Sequence, residues 1–217
     1  MLPYLKYVHI STSPATQTNQ SAHLPSDMLY FDRVHPNIPI FNQSRYFLRS
    51  RQLSQSNGPT HQLCLQYAMW TLATALSSQF ETHQDDLYRE TKQMLDALEA
   101  GEDDMSIVPI EHVQAWLLIA FYEFTRTSFR RGWISAGRAF RLVQLANLHG
   151  IDSLENIPQG DDAVMIEERR RTFWVAYCLD RFIGFRRGHW PLTITEEGVC
   201  TTSLVYFILQ STPVLIH

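Results

Sequence analysis

Apolar residues recur at helical spacing through most of residues 60–185, and this periodicity constrains the fold more than any other feature. One stripe comprises Leu63, Tyr67, Trp70, Leu72 and Leu76, and another comprises Ile110, Val113, Leu117, Ala120, Phe121 and Phe124. Side chains three and four residues apart share one face of a helix, whereas strand residues alternate. No alternating pattern of useful length occurs before residue 200. The sequence therefore predicts an all-α bundle of about six or seven helices arranged as antiparallel hairpins.

Capping and helix-breaking residues set the predicted boundaries. Ser26 and Asp27 are good N-cap types, and two prolines end the first helix. A cap at Asn42 or Ser44 begins a second helix through 53. Further helices are predicted at 60–80, 85–100, 110–124, 131–148 and 164–185. Residues Phe173–Phe185 are apolar nearly all round, which predicts a central buried helix, and Gly137 is expected to allow close helix contact.

Composition excludes several classes of protein. The 217 residues are 45% hydrophobic and 18% charged, which is typical of a globular domain. The net charge of −4 does not favour a nucleic-acid partner. Three distant cysteines, Cys64, Cys178 and Cys200, indicate a reducing compartment rather than a disulfide framework. No segment reaches the ~18 apolar residues that a membrane-spanning helix needs, so no membrane association is predicted.

The sequence contains no complete signature of a catalytic site. The string GWISAG at 132–137 is similar to a serine nucleophile elbow, but Trp133 stands where a glycine must precede Ser135. His61 and Cys64 can share a helix face as metal ligands, yet no second pair accompanies them. No HExxH, P-loop or GxGxxG pattern occurs. We therefore predict no enzymatic activity, no catalytic residue and no metal or cofactor in this chain.

Two groups of charged residues admit more than one interpretation. A basic stretch with interleaved aromatic residues is suited to nucleic acid or to a solvated face, and we favour the solvated face. It comprises Arg126, Phe129, Arg130, Arg131, Trp133, Arg138 and Arg141. Asp180 and Arg181 lie in an apolar segment, where buried charges need partners. We expect both residues to form ion pairs with other helices, and Asp180 to pair with Arg138 or Arg141. The alternative is that they contact an effector.

Two stretches, Ile110–Gly150 and Glu167–Glu196, resemble the fungal-specific transcription factor domain, the middle homology region of fungal zinc-cluster transcription factors. The most specific string is EERRRTFWVAYCLDR at 167–181, and LYFDRVHPNIPIF at 29–41 resembles the opening of that domain. The motif residues are interpreted as architectural, with Glu167 and Arg171 spaced as a helical ion pair. The alternative for the three arginines is a nuclear-import or phosphate-binding patch. The motif residues are Glu167, Arg169, Arg170, Arg171, Phe173, Trp174, Asp180 and Arg181.

The resemblance implies a transcription-regulatory domain in the nucleus over residues 26–200, after a flexible segment at 1–25. It implies partners among co-regulators or full-length regulators, together with a small-molecule effector. The six-cysteine zinc cluster that reads DNA in the family is not among these residues, so neither zinc nor direct DNA binding is expected. Residues 201–217 diverge from the family pattern, and we therefore expect an incomplete domain with a divergent tail.

Alternative functions remain open at this point. A helical small-molecule-binding protein or an unrecognised enzyme would need an aromatic pocket. The aromatic residues considered for that pocket are Trp116, Phe121, Phe140, Trp174 and Tyr177. A nonfunctional fragment of a larger regulator, or a plain interaction scaffold, would need no pocket at all.

Overall fold

The computed structural model describes residues 20–53, 60–77, 81–101, 108–152 and 160–187. Within these ranges the chain forms seven α-helices and a 3-10 helix, and no strand. The helices are α1 (Gln20–Arg33), α2 (Gln43–Leu53), α3 (Thr60–Ala75), α4 (Glu81–Gly101), α5 (Ile110–Arg126), α6 (Phe129–Leu145), the 3-10 helix (Leu148–Gly150) and α7 (Ala163–Arg187). The predicted all-α class is confirmed.

Helix α5 is the centre of the bundle. It contacts α3, α4, α6 and α7, and residues 110–120 are buried on every side. Only Thr127 and Ser128 separate α5 from α6, and the Ser128 hydroxyl accepts a hydrogen bond from the Arg131 amide at 3.3 Å. This N-cap turns the chain sharply, so α5 and α6 lie against each other as an antiparallel hairpin.

The second half of α7 is not the central buried helix that its apolar sequence predicts. Cys178 is exposed, and 53% of Phe182 is accessible to solvent. Helix α7 packs on α5, α6 and the 3-10 helix, which leaves one of its faces open. An apolar run has the same sequence signature whether it is enclosed on all sides or lines a surface groove.

The first helix begins at Gln20, and the predicted cap at Ser26 or Asp27 is wrong. Asp27 is buried, and its Oδ1 atom accepts hydrogen bonds from Trp70 Nε1 at 2.6 Å and from the Tyr46 hydroxyl at 2.7 Å. Its carboxylate therefore joins α1 to α2 and α3 and does not cap a helix.

Other boundaries also depend on tertiary contacts. Helix α3 ends at Ala75 and not at Phe80, and Arg126 Nε of α5 donates a hydrogen bond to the Ala75 carbonyl at 2.9 Å. Helix α6 ends at Leu145 and not at 148, because Asn147 adopts a left-handed conformation with φ of 52°. The Asn42 cap of α2 is confirmed by its Oδ1 atom, which accepts from the Arg45 amide at 3.0 Å.

Two of the five residues in the predicted α3 stripe are exposed. Leu63 and Leu76 face solvent, whereas Cys64, Ala68 and Met69 are fully buried. Helix α3 lies between α1, α4 and α5, so its second half is enclosed on most of its surface and no single stripe describes it.

The glycine that allows close helix contact is Gly132 and not Gly137. A Cβ atom built on Gly132 would lie 2.6 Å from Phe124 Cδ1, whereas a Cβ atom on Gly137 would meet nothing within 4 Å. The α5–α6 contact is therefore tightest at Gly132, near the start of α6.

Several predictions lie outside the described residues. These are residues 1–19 of the flexible segment predicted at 1–25, together with Cys200 and the divergent tail at 201–217. Residues 20–25 of that predicted flexible segment belong to α1. The domain boundaries at 26 and 200 stay predictions. Within the described part of the chain, no helix combines the length and the apolar character needed to cross a bilayer.

Candidate functional site

The three consecutive arginines at the start of α7 each pair with a carboxylate of the same domain. The contacts are Arg169 Nε to Asp161 Oδ2 (2.6 Å), Arg170 Nη2 to Asp152 Oδ1 (2.6 Å) and Arg171 Nε to Glu167 Oε1 (2.9 Å). The predicted Glu167–Arg171 helical pair is therefore present. These guanidinium groups have fewer donors left for a phosphate group than an unpaired arginine patch would have.

Glu168, the neighbour of Glu167, connects three helices. Only 5% of its side chain is exposed, and its Oε1 atom accepts a hydrogen bond from the Asn42 amide at 2.8 Å. Its Oε2 atom accepts from Arg49 Nη2 at 3.2 Å, and Arg49 Nη1 lies 3.5 Å from Glu111 Oε1 of α5. Glu168 thereby fixes the start of α2 and the Arg49 side chain to α7.

Sequence reasoning missed Glu168 as an individual residue. The pair of Glu167 with Arg171 is visible as a spacing of four residues, whereas Asn42 and Arg49 are distant in sequence. The one local signal is that a second glutamate directly follows Glu167, which places the two side chains on different sides of one helix.

The aromatic part of the motif belongs to the core. Phe173 and Trp174 are buried and meet edge to face, with ring centroids 5.3 Å apart. The Arg181 guanidinium lies 4.7 Å from the centre of the Tyr177 ring. Both contacts lie within α7, and Phe173 and Trp174 also belong to the hydrophobic core of the bundle.

The predicted pairing of Asp180 with Arg138 or Arg141 is wrong. Arg138 Nη1 instead reaches Asp96 Oδ1 at 2.9 Å and Glu99 Oε2 at 3.4 Å, both on α4. Arg141 is exposed, whereas Asp180 is buried on α7. The arginines of α6 are directed towards α4 and solvent, which periodicity alone does not reveal.

Trp116 lies between two cations. Lys92 Nζ is 4.2 Å and Arg138 Cζ is 4.6 Å from the centre of its ring. Burial lowers the pKa of Lys92, and the Glu123 carboxylate, 3.7 Å away, opposes that shift. The Tyr88 hydroxyl donates to the same Glu123 Oε1 atom at 2.6 Å. This cluster joins α4, α5 and α6 and leaves no room for a ligand on Trp116, which is fully buried.

The candidate nucleophiles and metal ligands do not converge. Ser135 is buried within α6, so it is not on an elbow. Burial raises the pKa of Cys64 to about 12 and also raises the pKa of Cys178, so neither thiol is activated at neutral pH. The two cysteines lie on α3 and α7, and no three His, Cys, Asp or Glu residues in the described ranges are arranged to hold a metal. These residues do not fit a zinc cluster.

An apolar groove of about 510 Å³ lies between α5, α7 and the turn after α1. Its main apolar lining consists of Ile38, Phe121, Phe124, Val175, Leu179 and Phe182, beside the Cys178 thiol. Of the five aromatic residues predicted to line a pocket, Phe121 is the one found among the described residues that line this groove, and Trp116, Phe140 and Trp174 are buried in the core. The groove is formed by the open face of α7.

His35 lies at the edge of the aromatic cluster that joins α1 and α2. Its ring centroid is 5.1 Å from that of Phe31, and its buried Nδ1 atom has no hydrogen-bond partner among the residues that the structure describes. Burial, reinforced by the nearby Arg171 guanidinium, lowers the pKa of His35 to about 4. The folded domain therefore excludes the protonated imidazole.

The lowered pKa of His35 predicts stability that is lost in acid. Above pH 6.5 the imidazole is neutral in the folded and unfolded chain, so it contributes no pH dependence. Between pH 6.5 and about 4 the unfolded chain takes up a proton that the folded chain excludes, and the free energy of unfolding falls by roughly 2–3 kcal/mol. Urea denaturation at several pH values should show this loss. In the His35→Phe variant, the free energy of unfolding should depend less on pH over the same range. Parallel pH profiles for both proteins would contradict the prediction.

A family model described as the fungal specific transcription factor domain matches residues 28–201. This range includes all the helices from the middle of α1 to the end of α7. The chain belongs to this family. The resemblance seen in the EERRRTFW…LDR string is thereby confirmed.

Relatives in the family are named as regulators of biosynthesis gene clusters. The pigment biosynthesis transcriptional activator of Monascus ruber is 48% identical over 81% of this chain and 32% of the relative. The citrinin biosynthesis transcriptional activator of Monascus purpureus is 49% identical over 81% of this chain and 30% of the relative. The azaphilone cluster-specific transcription factor of Aspergillus niger is 40% identical over 87% and 41%. The chain thus spans about a third of the length of these relatives, and no solved structure matches it.

Proposed function

We propose that this chain is the helical regulatory part of a nuclear activator that controls a biosynthetic gene cluster. The observation that carries the proposal is 48% identity to the Monascus ruber pigment activator over 81% of the chain. The family match reaches from residue 28 in α1 to the end of α7, so the same helical scaffold is expected in both proteins.

In this proposal the domain acts through protein contacts and not by reading DNA or by catalysis. The motif arginines are engaged with Asp152, Asp161 and Glu167, and the chain has a net charge of −4. Both features disfavour a phosphate-binding surface at α7. The thiols of Cys64 and Cys178 are not activated, which supports a role without chemistry and without a resident cofactor.

A reporter measurement tests the proposed function. The full 217-residue chain is joined to a heterologous DNA-binding module in a fungal host, and transcription of a reporter with matching sites is measured. We expect transcription to differ from the level given by the module alone. The Glu168→Ala variant should lose the effect because it weakens the fold, and Glu167→Ala should retain it. Equal transcription with and without the chain would contradict the proposal.

The groove between α5 and α7 favours a second candidate function, the binding of an apolar small-molecule effector. Its volume of about 510 Å³ lies in the range of small-molecule sites, and its lining is mostly apolar. Thermal-shift titration with apolar aromatic compounds should raise the melting temperature of the parent chain. Phe182→Ser changes a half-exposed lining residue and should abolish that rise. An identical rise for both proteins would place binding elsewhere.

A further inference from the structure

Helix α6 carries four arginines and no acidic residue, although the whole chain has a net charge of −4. Two of these arginines are engaged within the domain. Arg138 pairs with Asp96, and Arg131 interacts with the Tyr88 hydroxyl. Arg130 and Arg141 are exposed and have no ion-pair partner in the described part of the chain. The helix therefore presents two unpaired cations to solvent.

The two unpaired arginines share one outward face with apolar residues. Arg130, Ile134, Gly137, Arg141 and Leu145 follow one another at intervals of three and four residues, so their positions align along the helix. Ile134 is 55% exposed and Leu145 is 48% exposed. A Cβ atom on Gly137 would meet nothing within 4 Å. This α6 face thus has an open gap at its middle, an aliphatic side chain on each side of the gap, and two arginines.

The α6 face is presented by a firmly held helix. Ala136, Ala139, Phe140 and Val143 on the opposite side are buried, where α6 packs on its neighbours. The exposed aliphatic residues are therefore displayed on a rigid element. Arginine is enriched at protein–protein interfaces, and the α6 face offers two arginines beside Ile134 and Leu145.

We propose that the α6 face docks an acidic amphipathic helix of a partner protein. Ile134 and Leu145 contact the apolar stripe of the partner, and the gap at Gly137 lets the two helix axes approach closely. Arg130 and Arg141 pair with carboxylates that border the stripe, which selects an acidic partner over a basic one. The inference deepens the proposed function by naming the partner class, but the binding is measured on the isolated chain and not through transcription.

Two other occupants fit the α6 face less well. A second copy docked face to face through α6 would bring arginines against arginines, which repel. Nucleic acid would gain from the arginines but not from the exposed aliphatic side chains of Ile134 and Leu145. Stacking on bases requires exposed aromatic rings, whereas Phe129 and Trp133 of α6 are only partly exposed and pack against the core.

Fluorescence anisotropy with the full chain tests the α6 proposal. The probe is a labelled helical peptide of about 20 residues, with leucines at intervals of three and four and glutamates bordering them. Its twin carries lysine in place of every glutamate. We expect saturable micromolar binding of the glutamate peptide, and binding of the lysine peptide weaker by at least about tenfold.

Variants of the α6 face separate its components. Gly137→Gln places a side chain in the gap, where its Cβ atom meets nothing within 4 Å, and Arg130→Glu with Arg141→Glu reverses both charges. Each change should weaken binding of the glutamate peptide by at least about tenfold. The matched control, Arg33→Glu with Arg51→Glu, makes the same change in net charge on α1 and α2 and should bind as the parent does. Circular dichroism melting verifies that all variants are folded.

Three outcomes would overturn the α6 proposal. The first is no binding of the glutamate peptide, or equal binding by the parent and by both α6 variants. The second is binding of a duplex DNA probe that the charge reversal abolishes and Gly137→Gln preserves, which would assign the face to phosphates. The third is concentration-dependent self-association of the parent that either α6 variant abolishes. A negative result in these binding assays does not change the result of the reporter measurement. The α6 proposal and the proposed function can therefore be contradicted independently of each other.

Discussion

Replacing Glu168 with alanine is expected to lower the free energy of unfolding by about 3 kcal/mol. Only 5% of the Glu168 side chain is exposed, and its carboxylate accepts hydrogen bonds from the Asn42 amide and from the Arg49 guanidinium. Its removal leaves the part-buried hydrogen bond of the Asn42 amide unmade and the Arg49 guanidinium without one of its two carboxylates. Equilibrium urea denaturation of the parent and the variant measures the loss.

The adjacent Glu167 provides the matched control. Its side chain is 34% exposed, and its pairs with Arg170 and Arg171 are partly solvated. Glu167→Ala should therefore cost only about 0–1 kcal/mol. Two neighbouring glutamates of one motif are thus expected to differ clearly in their effect on stability. Equal losses for the two variants would show that Glu168 does not join α2 to α7 in the way described.

Replacing Gly132 with valine is expected to destabilise the domain by about 3 kcal/mol. A Cβ atom at this position would lie 2.6–2.8 Å from three atoms of the Phe124 ring, and Phe129 lies against the same ring. The ring must move out of its place between α5 and α6 to admit the new side chain. Thermal and urea denaturation should both report the loss.

The control for Gly132 lies five positions further along the same helix. Gly137→Val introduces the same side chain where nothing lies within 4 Å of the Cβ atom. Because valine has a somewhat higher helix propensity than glycine, the stability should stay within about 0.5 kcal/mol of the parent. A larger loss at Gly137 than at Gly132 would contradict the described approach of α5 to α6.

Local residue spacing was sufficient to predict the all-α class, the approximate number of helices and the family. Apolar residues at intervals of three and four specify helices whatever they pack against. Asn42 as a cap and Glu167 with Arg171 as a pair are also local, since each contact spans one helical turn. The EERRRTFW…LDR string identified the family because its residues are contiguous in the chain.

The path of each helix through the bundle was decided by tertiary structure. The sequence placed α7 at the centre, but α5 occupies it, because four neighbours enclose α5 and α7 keeps an open face. Gly132 and Gly137 look equivalent in sequence and differ only in what approaches them. Glu168 likewise acquires its role from partners that are distant in sequence, and Arg130 acquires its role because no ion-pair partner lies near it within the described ranges. Spacing along a helix fixes which residues share a face, whereas only the packing of the helices determines what that face meets.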